Sequence, residues 1–161
     1  MSIELSPDAV WKELARNPFA VIGYTNSKGE PRTAGIVYVV DGGRLWIGTG
    51  KSSWKARHLA ERPAVSVTVA IPKSIPLMPF IKIPAATITF QGTCTVLEPE
   101  ETPESIRKAL MHGMAEDPKL LADMALLRIE PHGRFITYGV GVSLWAMRKP
   151  EQARGVAPVA L

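Results

Sequence analysis

A polar loop flanked by glycines is the part of the sequence best suited to binding chemistry. It runs Gly48-Thr49-Gly50-Lys51-Ser52-Ser53 and leads into Trp54 and Lys55, where a helical pattern begins. Glycines leave backbone N–H groups open to an anion, and the start of a helix carries further unpaired N–H groups that favour phosphate. The residues predicted to surround such a phosphate are Thr49, Gly50, Lys51, Ser52, Ser53 and Lys55.

The charge distribution supports one compact anion site. The chain has a formal net charge of +4, and Lys51, Lys55, Arg57 and Arg62 lie close together while the other basic residues are scattered. A cluster of this size suits a single phosphate group better than a long polyanion. The alternative is a solvated turn that carries ordinary surface lysines.

The tryptophans, the cysteine and the histidines could also take part in binding or catalysis, but each can be explained more simply as a packing or surface residue. Trp54 and Trp145 could stack on a planar ligand ring or pack in a core or an interface, whereas Trp11 and Trp46 are expected in the core. Cys94 lies in a strand-like run with no histidine or aspartate partner in sequence, so we expect a small packing residue. The three histidines show no metal-ligand spacing, and we expect no metal site.

Length and composition fit a single soluble domain. The chain has 161 residues, of which 46% are apolar and 21% are charged, as is usual for a globular protein with one core. The one cysteine excludes an intrachain disulfide, the first residues lack a signal-peptide pattern, and no apolar run is long enough to span a bilayer. We therefore expect one domain over residues 1–161, located in the cytoplasm.

The first half of the chain predicts one helix followed by strands. Ser6-Pro7-Asp8 is typical of a helix start, because Ser6 can cap free N–H groups and Pro7 fits the first helical position. The turns between the first three strands predict an antiparallel meander, and the apolar fourth strand is expected to be buried on both faces. These strands are predicted over Phe19–Thr25, Thr33–Val40, Leu45–Gly48 and Ala64–Ile71, with a helix over Trp54–Ala60.

The second half predicts further strands, two helices and an irregular tail over residues 141–161. We expect strands over Ala85–Leu97, Ala125–Ile129 and Arg134–Val140, with a bend or bulge at Gly92. Helices are expected from Thr102-Pro103-Glu104 and from Asp117-Pro118. The inner face of the first of these two helices is predicted to carry Ile106, Ala109, Leu110, Gly113 and Met114. Together the elements predict a mainly β, α+β fold.

Residues 72–84 combine four prolines with large apolar side chains. The prolines exclude a regular helix or a central strand, and the apolar side chains exclude a simple solvated loop. We expect the segment to form a pocket wall, with Leu77, Met78 and Phe80 over a ligand ring, or to pack against a second subunit. Association with a membrane surface is a third and less favoured alternative.

An ordered set of short motifs resembles the pyridoxamine 5′-phosphate oxidase-like family of split-barrel flavoproteins. The resemblance covers about residues 8–140 and implies a split β-barrel of about six or seven antiparallel strands with crossover helices. The motifs are Gly29-Glu30-Pro31-Arg32-Thr33, Asp41–Ile47, Gly48-Thr49-Gly50, Lys55, Arg62-Pro63-Ala64-Val65, Gln91-Gly92-Thr93 and Leu127–Pro131.

The resemblance also implies a cofactor and an assembly. Family members bind flavin mononucleotide (FMN) across a homodimer interface, so Thr49 and Lys55 are expected to hold its phosphate and Thr33 to lie near another cofactor contact. Trp145 falls in the tail, where family members approach the cofactor of the partner subunit. Trp54 and Thr33 stand where the oxidase itself has arginines. The resemblance is therefore to the broad superfamily, which includes deazaflavin (F420) reductases.

The resemblance thus implies a homodimeric flavin-dependent oxidoreductase with an unidentified small-molecule substrate or electron donor. FMN is the first choice of cofactor and F420 the second. Chemistry carried by a cofactor would explain why no acid–base or nucleophile set is visible. A flavin carrier or sensor without turnover is the alternative. A nucleic-acid-binding barrel would interleave aromatic and basic residues, and aromatics are only 7% of this chain, so no nucleic-acid partner is expected.

Overall fold

A computed structural model describes residues 3–75, 77, 83–111 and 117–160 of the chain. Within these residues the protein is mostly β-sheet with a few short helices. The strands are β1 (Ile3–Glu4), β2 (Phe19–Thr25), β3 (Pro31–Val37), β4 (Val39–Asp41), β5 (Arg44–Gly50), β6 (Ala64–Ile71), β7 (Ala86–Leu97), β8 (Met124–Tyr138) and β9 (Arg154–Pro158). The α-helices are α1 (Pro7–Arg16), α2 (Trp54–Glu61), α3 (Glu104–Met111), α4 (Pro118–Ala122) and α5 (Pro150–Ala153).

One mixed sheet connects all of these strands. Its main path runs β1-β9-β8-β7-β6-β2-β3, and β5 branches from β8 and carries β4 on its other side. Every pairing is antiparallel except that of β1 with β9. The long strand β8 therefore has three partners, because its first half pairs with β5 and β7 and its second half with β7 and β9.

The first helix closes the core at one end. Ser6 accepts a hydrogen bond from the Ala9 amide at 3.3 Å and caps α1, as predicted. The helix buries Val10, Trp11 and Leu14, and the ring of Trp11 meets Phe135 edge to face at 5.3 Å. Trp46 is also buried, so both tryptophans expected in the core lie there.

Tyr38 interrupts the strand that was predicted over Thr33–Val40. Its side chain is almost fully buried, and its hydroxyl lies 2.8 Å from the carbonyl oxygen of Leu14 and 2.6 Å from that of Asn17. Turning this residue inward ends β3 and starts β4. Both expected antiparallel hairpins are present, as β2 with β3 and β4 with β5, but the break at Tyr38 divides the middle strand of the expected meander in two. Burial raises the pKa of Tyr38 well above its usual value.

Strand β6 has the predicted bounds, but only one of its faces is buried. Val65, Val67 and Val69 point into the core, while Ala64, Ser66 and Ala70 are exposed on the opposite face. The expected burial on both faces is therefore wrong. An antiparallel sheet can leave one face open, and the two exposed alanines make that face look more apolar in sequence than it is.

The two strands predicted at 125–129 and 134–140 are a single strand, β8. Pro131 and His132 stay paired with β7, and Gly133 supplies a positive φ of 74° within the strand. The register irregularity in β7 falls between Thr89 and Gln91, next to the predicted bend at Gly92. Gly92 itself is needed for close strand approach, because a Cβ there would lie 2.9 Å from the carbonyl oxygen of Glu130.

Residues 141–160 contain regular secondary structure, so the prediction of an irregular tail is wrong for this part of the chain. A 3₁₀ turn at Ala146–Arg148 and α5 lead into β9, which pairs with both β8 and β1.

In α3, Ile106 is buried as predicted and Ala109 is exposed. Gly113 and Met114 lie outside the described residues, as do Met78 and Phe80 of the proline-rich segment; Leu77 is exposed. Among the described residues, no helix is long and apolar enough to cross a membrane.

The Tyr38 hydroxyl provides a test of how the core is joined to α1. Tyr38→Phe should lower the free energy of unfolding by about 1–2 kcal/mol, because the carbonyls of Leu14 and Asn17 lose a buried donor. Urea unfolding measures this difference. Lys12→Gln, at an exposed position of α1, should change stability by less than about 0.5 kcal/mol. Equal effects of the two substitutions would contradict the role given to the hydroxyl.

Candidate functional site

The junction between β5 and α2 has the geometry of an anion-binding helix start. Ser53 is the N-cap of α2, and its hydroxyl accepts a hydrogen bond from the Ala56 amide at 3.2 Å. The hydroxyl of Thr49 lies 3.1 Å from that of Ser53. The amides of Trp54 and Lys55 are in the first turn, where no helical carbonyl can reach them. The loop thus offers backbone donors beside two hydroxyl groups.

The pairing of β5 with β8 fixes the position of this loop. Thr49 pairs with Ala125 and Gly50 with Met124. Just beyond the ladder, the Lys51 amide donates to the carbonyl oxygen of Asp123 at 2.9 Å, and the Ser53 amide donates to Gly50 at 3.0 Å. The start of α2 is therefore held by backbone hydrogen bonds on both sides of the turn.

The two lysines of the loop have different surroundings. The ammonium of Lys51 lies 2.5 Å from a carboxylate oxygen of Glu98, and this hydrogen bond raises the pKa of Lys51. Lys55 is half-buried on the first turn of α2, and no ion pair of its ammonium is found within the described chain. Of the two loop lysines, Lys55 is therefore the one whose charge is available to a bound anion, because the charge of Lys51 is balanced by Glu98.

Trp54 and its neighbours form a small aromatic group beside the loop. The Trp54 ring is 69% exposed, with the guanidinium of Arg57 4.9 Å from its centroid. The ring of His58 lies 5.9 Å from Trp54 on one side and 6.1 Å from Tyr24 on the other. Arg57 also donates to the Ser52 carbonyl at 3.0 Å, while the side chain of Ser52 is exposed. Trp54 is therefore available to a ligand and does not pack in the core.

Thr33 lies in a second region, on the open face of the sheet. Strand register aligns five residues across β3, β2, β6, β7 and β8. All five line one cavity of about 500 Å³, which we call the outer-face cleft. The five residues are Thr33, Gly23, Ser66, Gln91 and His132.

A second cavity, of about 440 Å³, lies where the β2–β3 hairpin meets α2, and we call it the hairpin cleft. Side chains alternate along a strand, so the two cavities open on opposite faces of this hairpin, although Tyr24 and Arg32 border both. The hairpin cleft is lined by Tyr24, Asn26, Ser27, Lys28, Glu30, Arg32, Trp54 and His58.

The structure brings together some of the predicted site residues and separates others. Thr49 and Ser53 meet directly, and Lys55 lies two residues further along α2. Thr33 borders the outer-face cleft and Trp54 the hairpin cleft. Trp145 borders neither cavity; it is 77% exposed, with Arg148 5.6 Å from its ring.

Sequence reasoning did not assign Tyr24, Arg32, His58, Gln91 or His132 to a site. Only the strand register and the placement of α2 bring these residues around the two cavities. One signal was visible, because a glycine within a strand often marks a close approach. A Cβ at Gly23 would lie 2.8 Å from the Ser66 hydroxyl.

The remaining candidates behave as packing residues. Cys94 is a buried part of the core, and burial raises the pKa of its thiol to about 12. A thiol with this pKa is almost fully protonated near neutral pH and is a poor nucleophile. Within the described part of the chain, no group of three or more histidine, cysteine, aspartate or glutamate side chains is arranged to hold a metal ion.

The branched sheet and its crossing helices define a split β-barrel. The family model described as pyridoxamine 5′-phosphate oxidase matches residues 6–137, and the chain belongs to this family. No protein of curated function matches the sequence.

Solved structures show the same fold at low sequence identity. A protein named F420 reductase is 18% identical, with a TM-score of 0.56 over 77% of this chain and 93% of its own. HutZ, a heme storage protein from Vibrio cholerae, is 17% identical, with a TM-score of 0.63 over 85% of this chain and 98% of its own. General Stress Protein 26 from Bacillus anthracis is 16% identical, with a TM-score of 0.54 over 82% and 91%. At these identities the likeness shows the fold alone.

The cap of α2 can be tested by comparing two adjacent serines. Ser53→Ala should lower the free energy of unfolding by about 1 kcal/mol, because the Ala56 amide loses its acceptor. Ser52→Ala, whose side chain is exposed, should have an effect of less than about 0.5 kcal/mol. Thermal or urea unfolding measures both. A larger loss for Ser52→Ala than for Ser53→Ala would show that the cap is misassigned.

Proposed function

We propose that this protein is a flavin-dependent oxidoreductase that binds FMN, with F420 as the second choice of cofactor. One observation carries the proposal: the start of α2 combines free amides, the hydroxyls of Thr49 and Ser53, and the half-buried Lys55. Such a set suits a phosphate, because backbone and charged donors can reach the same anion. Membership of the pyridoxamine 5′-phosphate oxidase family supports the same assignment.

The residues of the loop fit a phosphate group in both charge and shape. Glycine at position 50 keeps the approach to the first turn free of a side chain, and Lys55 supplies the positive charge that Lys51 cannot. In this proposal the Ser53 hydroxyl donates to a phosphate oxygen while it still accepts from the Ala56 amide and caps the helix, and the Thr49 hydroxyl stands 3.1 Å from it. Lys51 acts through its pair with Glu98, which ties the loop to the end of β7.

The outer-face cleft is the proposed place for the cofactor ring. Its volume of about 500 Å³ lies in the range of small-molecule sites, about 300–1,000 Å³. Gly23 and Ser66 give it a flat floor, and Thr33 and Gln91 place a hydroxyl and an amide at its sides. Strand β3, which carries Thr33, contacts the strand β5 that leads to the loop. A bound flavin would supply the hydride or electron transfer, and the chain would bind it, orient it and limit water.

We also propose that the protein works as a homodimer through the open sheet face. Exposed apolar side chains gather there: Phe19 is 55% exposed, Val37 opposite it is 60% exposed, and Ile136 is 60% exposed. Contiguous exposed apolar surface is typical of association sites. A second copy over this face would also cover the outer-face cleft and exclude water from it.

A flavin carrier or sensor without turnover is the alternative, and a redox assay separates the two. The single buried cysteine suits a reducing compartment, so the cytoplasm remains our proposal for location. Oxidation of a nicotinamide or reduced F420 donor by the FMN-loaded protein, across a panel of acceptors, supports the enzyme. FMN binding without turnover across the panel supports the carrier.

Substitution of the two loop lysines tests the phosphate site. Lys55→Gln should weaken FMN binding by roughly tenfold or more, because a charge-assisted contact is lost. Lys51→Gln should change it by no more than about threefold, since an exposed ion pair contributes little. Flavin fluorescence quenching on titration gives both dissociation constants. Parallel titrations with F420 and hemin identify the preferred ligand, and saturable binding of hemin alone would refute the proposal.

The dimer proposal is tested by placing a charge on the open sheet face. Val37→Asp should convert the protein to a monomer in light scattering, because a carboxylate would be buried without a partner. Ala15→Asp, at an exposed site of α1, should leave the dimer intact. Leu77→Asp tests the proline-rich segment as the alternative contact. A wild-type monomer, or a dimer lost only in Leu77→Asp, would contradict the assignment to this face.

A further inference from the structure

The hairpin cleft is lined by neither Lys55 nor the loop hydroxyls, although it shares Tyr24 and Arg32 with the outer-face cleft. It opens on the face of the β2–β3 hairpin opposite to the outer-face cleft. Its volume of about 440 Å³ also lies in the range of small-molecule sites, about 300–1,000 Å³. One wall comes from the turn of the hairpin and the other from Trp54 and His58 of α2.

Hydrogen bonds hold the hairpin wall in one shape. Asn26 is buried, and its side-chain oxygen accepts from the amides of Lys28 at 2.9 Å and Glu30 at 3.0 Å. Its side-chain nitrogen donates to the Glu30 carboxylate at 2.8 Å. Arg62 at the end of α2 donates to the Ser27 carbonyl at 3.0 Å and ties the turn to the helix. A site with both walls fixed loses little entropy when it binds a ligand.

Among the described residues that line the cleft, one cation is left without a balancing carboxylate. The carboxylate of Glu30 lies 3.2 Å from the guanidinium of Arg32 and balances its charge. The ammonium of Lys28 has no ion-pair or hydrogen-bond partner among the residues that the structure describes. The balance at the cleft is therefore positive, which favours an anionic group on the ligand.

The helix wall favours a planar ring. Trp54 is exposed although it is a large aromatic side chain, and the guanidinium of Arg57 lies 4.9 Å from its ring centroid. His58 and Tyr24 extend the aromatic surface at ring spacings of 5.9 and 6.1 Å. A flat aromatic molecule can stack on such a surface, and an aliphatic one of the same charge gains less from it.

We propose that the hairpin cleft is a second ligand site, which binds a small planar aromatic molecule that carries a carboxylate or phosphate. The ring lies against Trp54, and the anionic group meets Lys28 at the mouth of the cleft. The site is independent of the proposed cofactor phosphate site, since it uses neither Lys55 nor the hydroxyls of the loop.

The indole N–H signals in a ¹H–¹⁵N spectrum test this site without any cofactor present. The chain has four tryptophans, and the variants Trp54→Leu and Trp145→Leu assign the two exposed ones. Titration with 2-naphthoate should shift the Trp54 signal saturably and leave that of Trp145 unchanged. Naphthalene-2-methanol, which has the ring without the charge, and cyclohexanecarboxylate, which has the charge without an aromatic ring, should each bind at least about fivefold more weakly.

Lysine variants locate the anionic group. Lys28→Gln should weaken 2-naphthoate binding by about three- to tenfold, while Lys12→Gln, at an exposed position of α1, should leave it unchanged. Both positions are on the surface, so both variants should fold. A larger loss in Lys55→Gln than in Lys28→Gln would place the probe at the start of α2 and overturn the proposal. A shift of Trp145 alone, or no saturable shift, would overturn it as well.

The outcome is separable from that of the cofactor proposal. FMN binding is followed by flavin fluorescence and depends on Lys55, whereas 2-naphthoate binding is followed by the Trp54 indole and depends on Lys28. A protein that binds no flavin would still show the Trp54 shift if the second site exists. Lys28→Gln should leave the FMN dissociation constant within about twofold of the wild-type value.

Discussion

The backbone ladder between β5 and β8 is the constraint on which the candidate site depends. It places Gly50 beside Met124, and the Lys51 amide then reaches the Asp123 carbonyl just past its end. These bonds set where β5 stops and where α2 begins. The amides, hydroxyls and lysine at the start of α2 can converge on one anion only because the chain enters the helix at that fixed point.

The length of β8 makes this arrangement possible. A strand of 15 residues is long enough to pair with β5 and β7 in its first half and with β7 and β9 in its second. Gly133, with a positive φ, lets it continue past a sequence that contains turn residues. The strand joins the branch of the sheet that carries the loop to the part that carries the outer-face cleft, so one core stabilises both.

Because side chains alternate along a strand, the two cavities are lined by different kinds of side chain. Thr33 points to the open face, where Gly23 and other small or polar residues line the outer-face cleft. Their neighbours Arg32 and Tyr24 point toward α2, where aromatic and charged side chains meet. A shift of register by one residue would exchange these two sets. The pairing of Gly23 with Thr33 and of Gly23 with Ser66 therefore decides which side chains face each cavity.

The sequence alone determined the local features, because their causes are local. Ser6 and Ser53 precede helix starts that need an acceptor, and Asp41-Gly42-Gly43 forms the turn that its glycines allow. The bounds of β6 and the polar loop before α2 followed in the same way. Tertiary structure decided which strands pair, that Tyr38 would break a strand to reach two carbonyls, and that Glu98 would neutralise Lys51. These partners are far apart in the chain, so no local pattern specifies them, and only the packed sheet brings them within hydrogen-bonding distance.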